Sequence, residues 1–167
     1  CQGEGSWSSP LGETFEGQWL EDKKHGEGTW KTAEGESYVG QWDRDCIHGT
    51  GKWVSEMGDS YEGQWKGNKR DGAGVNKSAL AVYDGQWSED LRHGSGVFTA
   101  SNGEKYSGNW TKDNRNGQGE WKGPNGDQYM GQWEDNLRTG EGELTSGDSD
   151  SYKGGRVRGK RQCHVEW

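Results

Sequence analysis

The chain has 167 residues, of which only 26% are hydrophobic, and it carries a formal net charge of −8. Such a composition is typical of disordered chains, but those are poor in aromatic residues, whereas this chain has 11 Trp, 6 Tyr, 2 Phe and 31 Gly. The numbers exclude a layered aliphatic core and, with only two prolines, a collagen-like chain.

A repeat of 23 residues, shortened once to 22, organises the sequence. Each copy opens with an aromatic-x-Gly-x-Trp stretch and continues with Gly-x-Gly eleven residues after the opening aromatic; the opening aromatics are Phe15, Tyr38, Tyr61, Tyr83, Tyr106 and Tyr129. A half repeat covers residues 1–14 and a degenerate copy covers residues 152–167. A fixed period of this length indicates an array of stacked repeats, so we predict a single array over residues 1–167.

The first half of each copy is predicted to be a β-strand. Alternate residues of an extended strand share a face, so Tyr61, Gly63 and Trp65 point one way while Glu62 and Gln64 point to water. Glycine is unfavourable in β-strands, so regular pairs of glycines there indicate that a side chain would be in the way. We infer that aromatic rings lie across the backbone at these glycines. This predicts a docking surface that we call the aromatic groove, lined by Tyr38, Trp42, Tyr61, Trp65, Tyr83, Trp87, Tyr106, Trp110, Tyr129 and Trp133.

Two kinds of turn alternate between the predicted strands. The first has an acidic or amide residue three positions after each Trp, whose side chain can bond to the backbone ahead: Asp22, Asp45, Asn68, Asp90, Asp113 and Asn136. The second has a glycine three positions before the next aromatic, where a positive φ is expected: Gly12, Gly35, Gly58, Gly103 and Gly126. Each copy is therefore a hairpin, and the predicted fold class is all-β, an elongated, twisted, single-layer antiparallel meander.

The pattern resembles the MORN-repeat family (membrane occupation and recognition nexus), whose unit reads Tyr-x-Gly-x-Trp followed by Gly-x-Gly. The resemblance covers residues 3 to about 156. It implies an antiparallel sheet that acts as a scaffold or docking module, often self-associating and often at membrane-linked cytoskeletal structures. Among such arrays, those that form cytoskeletal rings and collars in unicellular parasites are the nearest functional match.

The third copy departs from the pattern, because its stretch from Val75 to Val82 is one residue short and has Leu80 where the turn glycine is expected. We expect a tolerated local bend. The alternative is a contact with a partner through Leu80 and Val82.

The last copy departs further, since Cys163 and Val165 stand at the two glycine positions and Trp167 at the aromatic position. A bare final strand is an exposed edge that invites pairing, and side chains that replace the glycines suit an end-to-end contact. We predict a homodimer with an interface formed by Tyr152, Arg156, Cys163, Val165 and Trp167; the alternative is a plain cap.

A metal site is one hypothesis for the same end. Cys163 and His164 from two copies would supply four ligands of the type that zinc prefers. However, neighbouring residues of a strand face opposite ways, so an ordinary thiol and a surface histidine are the alternative, with no cofactor. His25, His48 and His93 share one repeat position but cannot share an ion, because adjacent copies lie about 10 Å apart.

Basic residues precede the Gly-x-Gly by two positions in five copies. Together with the tail they form a predicted edge for anionic lipids or an acidic partner, made of Lys24, Arg70, Arg92, Arg115, Arg138, Lys153, Arg158, Lys160 and Arg161. Residues 153–167 carry five basic and one acidic residue, a net +4, which leaves −12 for residues 1–152. We expect this acidic body to be repelled by membranes and by nucleic acid, so nucleic acid is not a predicted partner. A solvated turn edge is the alternative to a binding edge.

No catalytic motif, apolar span or charged-then-apolar leader is found, and three unpatterned cysteines fit a reducing compartment. We therefore expect a soluble, cytoplasmic, non-catalytic scaffold that homodimerises and docks cytoskeletal or membrane-associated proteins. Two alternatives remain. One is a ligand-binding module for phosphoinositides, choline or carbohydrates, and the other is the regulatory arm of an enzyme whose catalytic domain lies outside this sequence.

Overall fold

The computed structural model describes residues 2–147, 151–157 and 160–161, and every regular element in this part of the chain is a β-strand. The strands are β1 (Gly3–Ser8), β2 (Thr14–Leu20), β3 (Lys23–Lys31), β4 (Ser37–Asp43), β5 (Cys46–Val54), β6 (Ser60–Lys66), β7 (Lys69–Lys77), β8 (Ala81–Ser88), β9 (Leu91–Ala100), β10 (Lys105–Thr111), β11 (Asn114–Lys122), β12 (Gln128–Glu134), β13 (Leu137–Thr145), β14 (Ser151–Val157) and β15 (Lys160–Arg161). The all-β prediction is confirmed.

The chain divides into two compact units, the first made of residues 1–79 and 87–90 and the second of residues 80–86 and 91–167. In the first unit, β1 to β7 pair antiparallel in chain order. In the second unit, β9 to β15 pair in the same way. Each unit is thus an open antiparallel meander of hairpins, as the repeat predicts.

The hairpin within each copy closes with a two-residue turn in which both residues have positive φ. The angles lie between 46° and 71° for Glu21–Asp22, Arg44–Asp45, Gly67–Asn68, Glu89–Asp90, Lys112–Asp113 and Asp135–Asn136. Positive φ at both central positions defines the type I′ turn, whose twist matches that of the flanking strands. Asp and Asn tolerate this conformation better than most residues, which explains their regular place here.

The turn between copies is longer, and three of these turns use the hydroxyl of Ser9, Thr32 or Ser55 as an acceptor. In the Thr32–Glu36 loop the amide of Glu36 donates to Thr32 Oγ1 at 3.1 Å, and Gly35 has φ +102°. The five glycines predicted for this turn all have φ between 85° and 102°. In the irregular third copy, β7 ends at Lys77 and β8 begins at Ala81, so the loop shortens and leaves the Leu80 side chain 76% exposed.

A β-bulge recurs beside the central glycine of the opening strand, and the motif glutamine occupies it. The register between β6 and β7 shifts between Gly63 and Trp65, so Gln64 has no partner in the ladder with β7. Its Oε1 instead accepts a hydrogen bond from the amide of Ala73 at 2.8 Å. Gln18 and Gln41 accept the equivalent amides. The glutamine therefore satisfies a backbone donor that the bulge would otherwise leave unpaired.

Candidate functional site

The opening aromatics and the tryptophans four residues after them form the core of each unit. Their rings meet edge to face, with centroids 4.9 Å apart for Tyr61 and Trp65 and 5.5 Å for Tyr61 and Trp87. In the second unit Tyr106 meets Trp110 and Trp133 in the same way. Such edge-to-face pairs add about 1 kcal/mol each beyond the burial of area, so the aromatic rows stabilise a fold that has few aliphatic residues.

These rings lie directly over glycine, as the sequence predicts. A Cβ atom added to Gly74 would overlap the ring and the Oη atom of Tyr61. The indole Nε1 of Trp87 donates to the carbonyl of the same glycine at 3.1 Å. The first glycine of each Gly-x-Gly has a different environment, because Gly72 has φ +96° and packs against the Gln64 side chain.

The prediction of an open aromatic groove needs correction. Its ten residues are only 0–9% exposed, because the rings pack against one another and against basic side chains such as Arg70 and Arg138. A partner therefore has little access to them. They are the core of the protein, and a docking surface has to be sought among the exposed residues.

Burial also changes the ionisation of the core phenols. Burial raises the pKa of Tyr61, Tyr83 and Tyr106 to about 12, while a nearby arginine acts in the opposite direction on each. Burial raises the pKa of Tyr38 as well, and its neutral phenol donates a hydrogen bond to the carbonyl of Gln41. These phenols remain neutral donors throughout the physiological range.

The type I′ turns of adjacent copies are linked by a set of hydrogen bonds that we call the turn ladder. The amide of Arg70 donates to Asp90 Oδ1 at 2.9 Å, and the amide of Asp90 donates to the carbonyl of Arg70 at 3.0 Å. The pairs of the ladder are Lys24–Asp45, Ile47–Asn68, Arg70–Asp90, Arg92–Asp113 and Arg115–Asn136. In these pairs the acidic or amide side chain thus accepts a hydrogen bond from a backbone amide 20 or 21 residues earlier in the chain. The sequence suggested instead that it would bond to the backbone ahead.

The basic side chains of the ladder lie over the aromatic rows. The guanidinium carbons of Arg70, Arg92 and Arg115 are 4.1, 4.3 and 4.4 Å from the ring centroids of Trp87, Trp110 and Trp133. Arg70 and Arg92 also bind their ladder aspartates through Nε at 3.1 and 2.9 Å. Cation–π contact and ion pairing therefore hold these groups in place.

The predicted basic edge is therefore not a row of free cations. The side chains of Arg70, Arg92 and Arg115 are only 24–26% exposed, and burial lowers the pKa of Arg115. Burial likewise lowers the pKa of Lys24, whose ammonium is 5.0 Å from the ring centroids of Phe15 and Trp42. Arg138 lies over Trp121 and Tyr129 at 4.5 and 4.9 Å. Of the tail residues, Lys153 is exposed in β14.

A second set of tryptophans, in the returning strands, pairs with glutamates. Trp53 Nε1 donates to Glu36 Oε1 and Trp121 Nε1 donates to Glu104 Oε1, both at 2.7 Å. The fourth copy differs, because Phe98 replaces the tryptophan. A cleft of about 220 Å³ lies there, lined by Arg92, Phe98, Glu104, Tyr106, Trp110, Asp113, Arg115 and Asn136.

The opposite face of each unit carries the residues that differ between copies. The position after the opening aromatic is exposed in all six copies, which hold Glu16, Val39, Glu62, Asp84, Ser107 and Met130 there. Val39 is 53% and Met130 is 63% exposed, which is high for apolar side chains on strands. We call this surface the outer face. Copies that share one backbone conformation expose different side chains there.

Several predicted residues lie wholly or partly outside the part of the chain that the structure describes. Cys163, His164, Val165, Trp167 and Arg158 lie outside it, and only the backbone is described for Tyr152, Arg156, Lys160 and Arg161. The zinc hypothesis and the homodimer interface therefore stay predictions. Among the described residues, no group of three or more His, Cys, Asp or Glu side chains could hold a metal ion. The same part of the chain includes no helix with the length and apolar character to cross a membrane.

The repeat copies match a known family. The model for the MORN repeat matches residues 15–37, 38–60, 61–75, 83–105, 106–128 and 129–151. The third match stops at residue 75, where the irregular stretch of the third copy begins. No match was found among curated proteins.

Proposed function

Since this chain belongs to the MORN-repeat family, we propose that it is a non-catalytic docking scaffold for cytoskeletal or membrane-associated proteins. Repeats of this family are typically non-enzymatic modules of protein or membrane interaction. One observation carries the proposal. The residues that recur in most copies are used in the core and the turn ladder, whereas the position after the opening aromatic, which differs from copy to copy, is exposed on the outer face.

This division suits a scaffold because a repeat array that is stabilised by contacts between neighbouring copies can vary its exposed positions at little cost. The outer face is mostly polar, with Lys52 and Glu62 paired across strands at 3.4 Å. The exposed Val39 and Met130 add apolar contact area of the kind that buried interface positions use.

The docking function is tested by identifying partners through proximity labelling with the full chain and then measuring the affinity of each purified partner. Val39→Glu together with Met130→Glu is expected to weaken binding at least tenfold while the melting temperature stays unchanged. Leu11→Glu is the matched control, since Leu11 is an exposed turn residue, and it is expected to bind normally. Normal binding by the outer-face variant would contradict the proposal.

We further propose that the scaffold homodimerises through its degenerate last copy, residues 152–167, whose side-chain-filled glycine positions support the idea. Multi-angle light scattering is expected to give a dimer mass for the full chain and a monomer mass for Trp167→Ala. Conversion of the dimer to monomer by a chelator, and its loss in Cys163→Ala, would assign zinc to the interface. A monomeric full chain would contradict the dimer.

Acidic phospholipid is the second candidate partner, supported by the net +4 of residues 153–167. Because the ladder arginines are held by rings and by nearby carboxylates, the tail is the expected lipid contact. Changing Lys153, Arg158, Lys160 and Arg161 to Gln is expected to abolish sedimentation with phosphoinositide vesicles, whereas Lys77→Gln is expected to leave it intact. Equal sedimentation of the two variants would contradict a tail contact.

A further inference from the structure

The cleft beside Phe98 lies in the second unit, where the fourth and fifth copies meet. Phe98 contacts Trp110 with ring centroids 6.4 Å apart. The equivalent positions of other copies hold Trp30, Trp53 and Trp121, so in those copies an indole extends where Phe98 has only a phenyl ring. The smaller ring leaves room that a larger planar group can occupy.

The environment of Trp121 shows what such a group would contact. Its indole Nε1 donates to Glu104 at 2.7 Å, and the Arg138 guanidinium lies 4.5 Å from its ring centroid. In the fourth copy the residue equivalent to that glutamate is Ala81, and the residue equivalent to Arg138 is Arg115, which lies over Trp133 and lines the cleft. The cleft therefore offers a cation for stacking and, from Glu104 and Asp113, carboxylates that can accept an N–H group.

The charges at the cleft favour a neutral ligand over an anionic one. Two guanidinium groups, from Arg92 and Arg115, face two carboxylates, from Asp113 and Glu104. Arg92 is already paired with Asp113 at 2.9 Å, and Arg115 is 3.8 Å from Glu104. An added anion would be repelled by both carboxylates, whereas an electron-rich ring gains cation–π attraction without that cost.

We propose that this cleft binds the indole ring of a tryptophan side chain supplied by a partner protein. At about 220 Å³ the cleft is smaller than the 300 Å³ or more that whole small-molecule ligands usually need, so a single side chain is its natural occupant. The proposal rests on the docking function and deepens it. It adds to the outer face a second contact, on the aromatic side of the second unit, and names the chemistry of one anchor residue of the partner. Buried aromatic anchors of this kind supply much of the affinity of protein interfaces.

The probes are indole and capped tryptophan, N-acetyltryptophanamide, titrated into the full chain and followed by NMR chemical shifts. Both are expected to bind with a Kd on the order of 1 mM, and benzoate is expected to bind at least fivefold more weakly. Binding of free indole without binding of the capped amino acid would assign the cleft to a small molecule and overturn the proposal. Tighter binding of benzoate would also overturn it, because the cleft would then be an anion site.

Phe98→Trp fills the cleft with the chain's own indole and is expected to weaken binding of both probes at least tenfold. Asn76→Leu is the matched control, since Asn76 is the equivalent residue of the third copy and Leu144 that of the sixth, and it is expected to bind normally.

Phe98→Ala covers the case in which the tryptophan variant does not fold. It enlarges the cleft, so indole is expected to raise its melting temperature more than that of the unchanged chain. Unchanged probe binding by Phe98→Trp, or no response of Phe98→Ala, would overturn the inference. These tests need no partner protein, so their failure is distinguishable from failure of the docking function.

Discussion

Glycine has three separate roles within a single copy of this repeat. The central glycine of the opening strand faces another glycine across the ladder, as Gly63 faces Gly74. The first glycine of Gly-x-Gly has a positive φ beside the glutamine of the bulge, and the second lies under the tyrosine ring. The sequence predicted rings over glycine, but it assigned both glycines of the pair to that one cause.

Gly74→Ala tests the contact between ring and backbone. The new methyl group would overlap the rigid Tyr61 ring, so we expect a loss of about 2 kcal/mol in the free energy of unfolding, measured by urea denaturation. Gly67→Lys is the control, because Gly67 has open space around it and Lys112 adopts the same left-handed conformation at the equivalent position. Equal losses for the two variants would show that the ring contact is unimportant.

The buried phenols predict the alkaline limit of stability. In the unfolded chain a tyrosine ionises near pH 10, whereas Tyr61, Tyr83 and Tyr106 hold their protons in the folded state up to about pH 12. Below pH 10 the proton is bound in both states, so stability is unaffected. Between pH 10 and 12 only the unfolded state releases it, so stability falls as the pH rises.

Urea unfolding at several pH values, with the phenolate absorbance followed in parallel, measures this fall. Tyr61→Phe is expected to flatten it, because one proton is removed from the linkage, and Phe15 shows that the repeat accepts phenylalanine at this position. If stability falls with pH equally steeply in the variant and in the unchanged chain, the fall does not come from the buried phenols.

At the scale of the element, the turn ladder is the part of the fold that the sequence did not predict. The turn residues themselves were recognised, but each ladder bond joins residues in different copies, 20 or 21 positions apart. A signal was present in the sequence, since Asp follows Lys24, Arg70 and Arg92 at the ladder spacing and Asn follows Ile47, although Asn also follows Arg115. The glutamate–tryptophan pairs have a comparable signal, because Glu36 and Glu104 precede tryptophans by 17 residues whereas Ala81 precedes Phe98.

Substitutions of Asp90 separate two interactions of its side chain, the hydrogen bond from the Arg70 amide and the ion pair with the Arg70 guanidinium. Asp90→Asn keeps the acceptor for the Arg70 amide but removes the ion pair, which is partly exposed, so we expect a loss of about 0.5 kcal/mol in the free energy of unfolding. Asp90→Gly keeps the left-handed turn but removes both interactions, and we expect a loss of about 1.5 kcal/mol.

Thermal and urea unfolding at low and high salt distinguish the two effects. Because salt screens only the ion pair, the difference in stability between the unchanged chain and the asparagine variant is expected to shrink at high salt, while the difference between the asparagine and glycine variants persists. If the glycine variant is as stable as the unchanged protein, the ladder does not contribute to stability.

At the scale of the whole molecule, the sequence predicted the fold class because one pattern recurs at one spacing. It did not predict which surface is free. Tyrosines, tryptophans and arginines are common at binding sites, and here most of them are used within the array: Tyr61 and Trp65 are buried and Arg70 is stacked. The strand alternation placed Glu62 on the water-facing side, but the differing residues at the equivalent positions, such as Val39 and Met130, follow no pattern that marks this face as a docking surface.

The division between a repeated, buried face and a variable, exposed face is tested most directly by measuring the stability of single-residue variants along the full chain. We expect substitutions at the aromatic rows, at the second glycine of each Gly-x-Gly and at the ladder arginines Arg70, Arg92 and Arg115 to lower stability strongly. Substitutions at the outer-face positions are expected to change the free energy of unfolding by no more than about 0.5 kcal/mol. Outer-face variants as destabilised as the core variants, or ladder arginines replaceable without loss, would contradict the division.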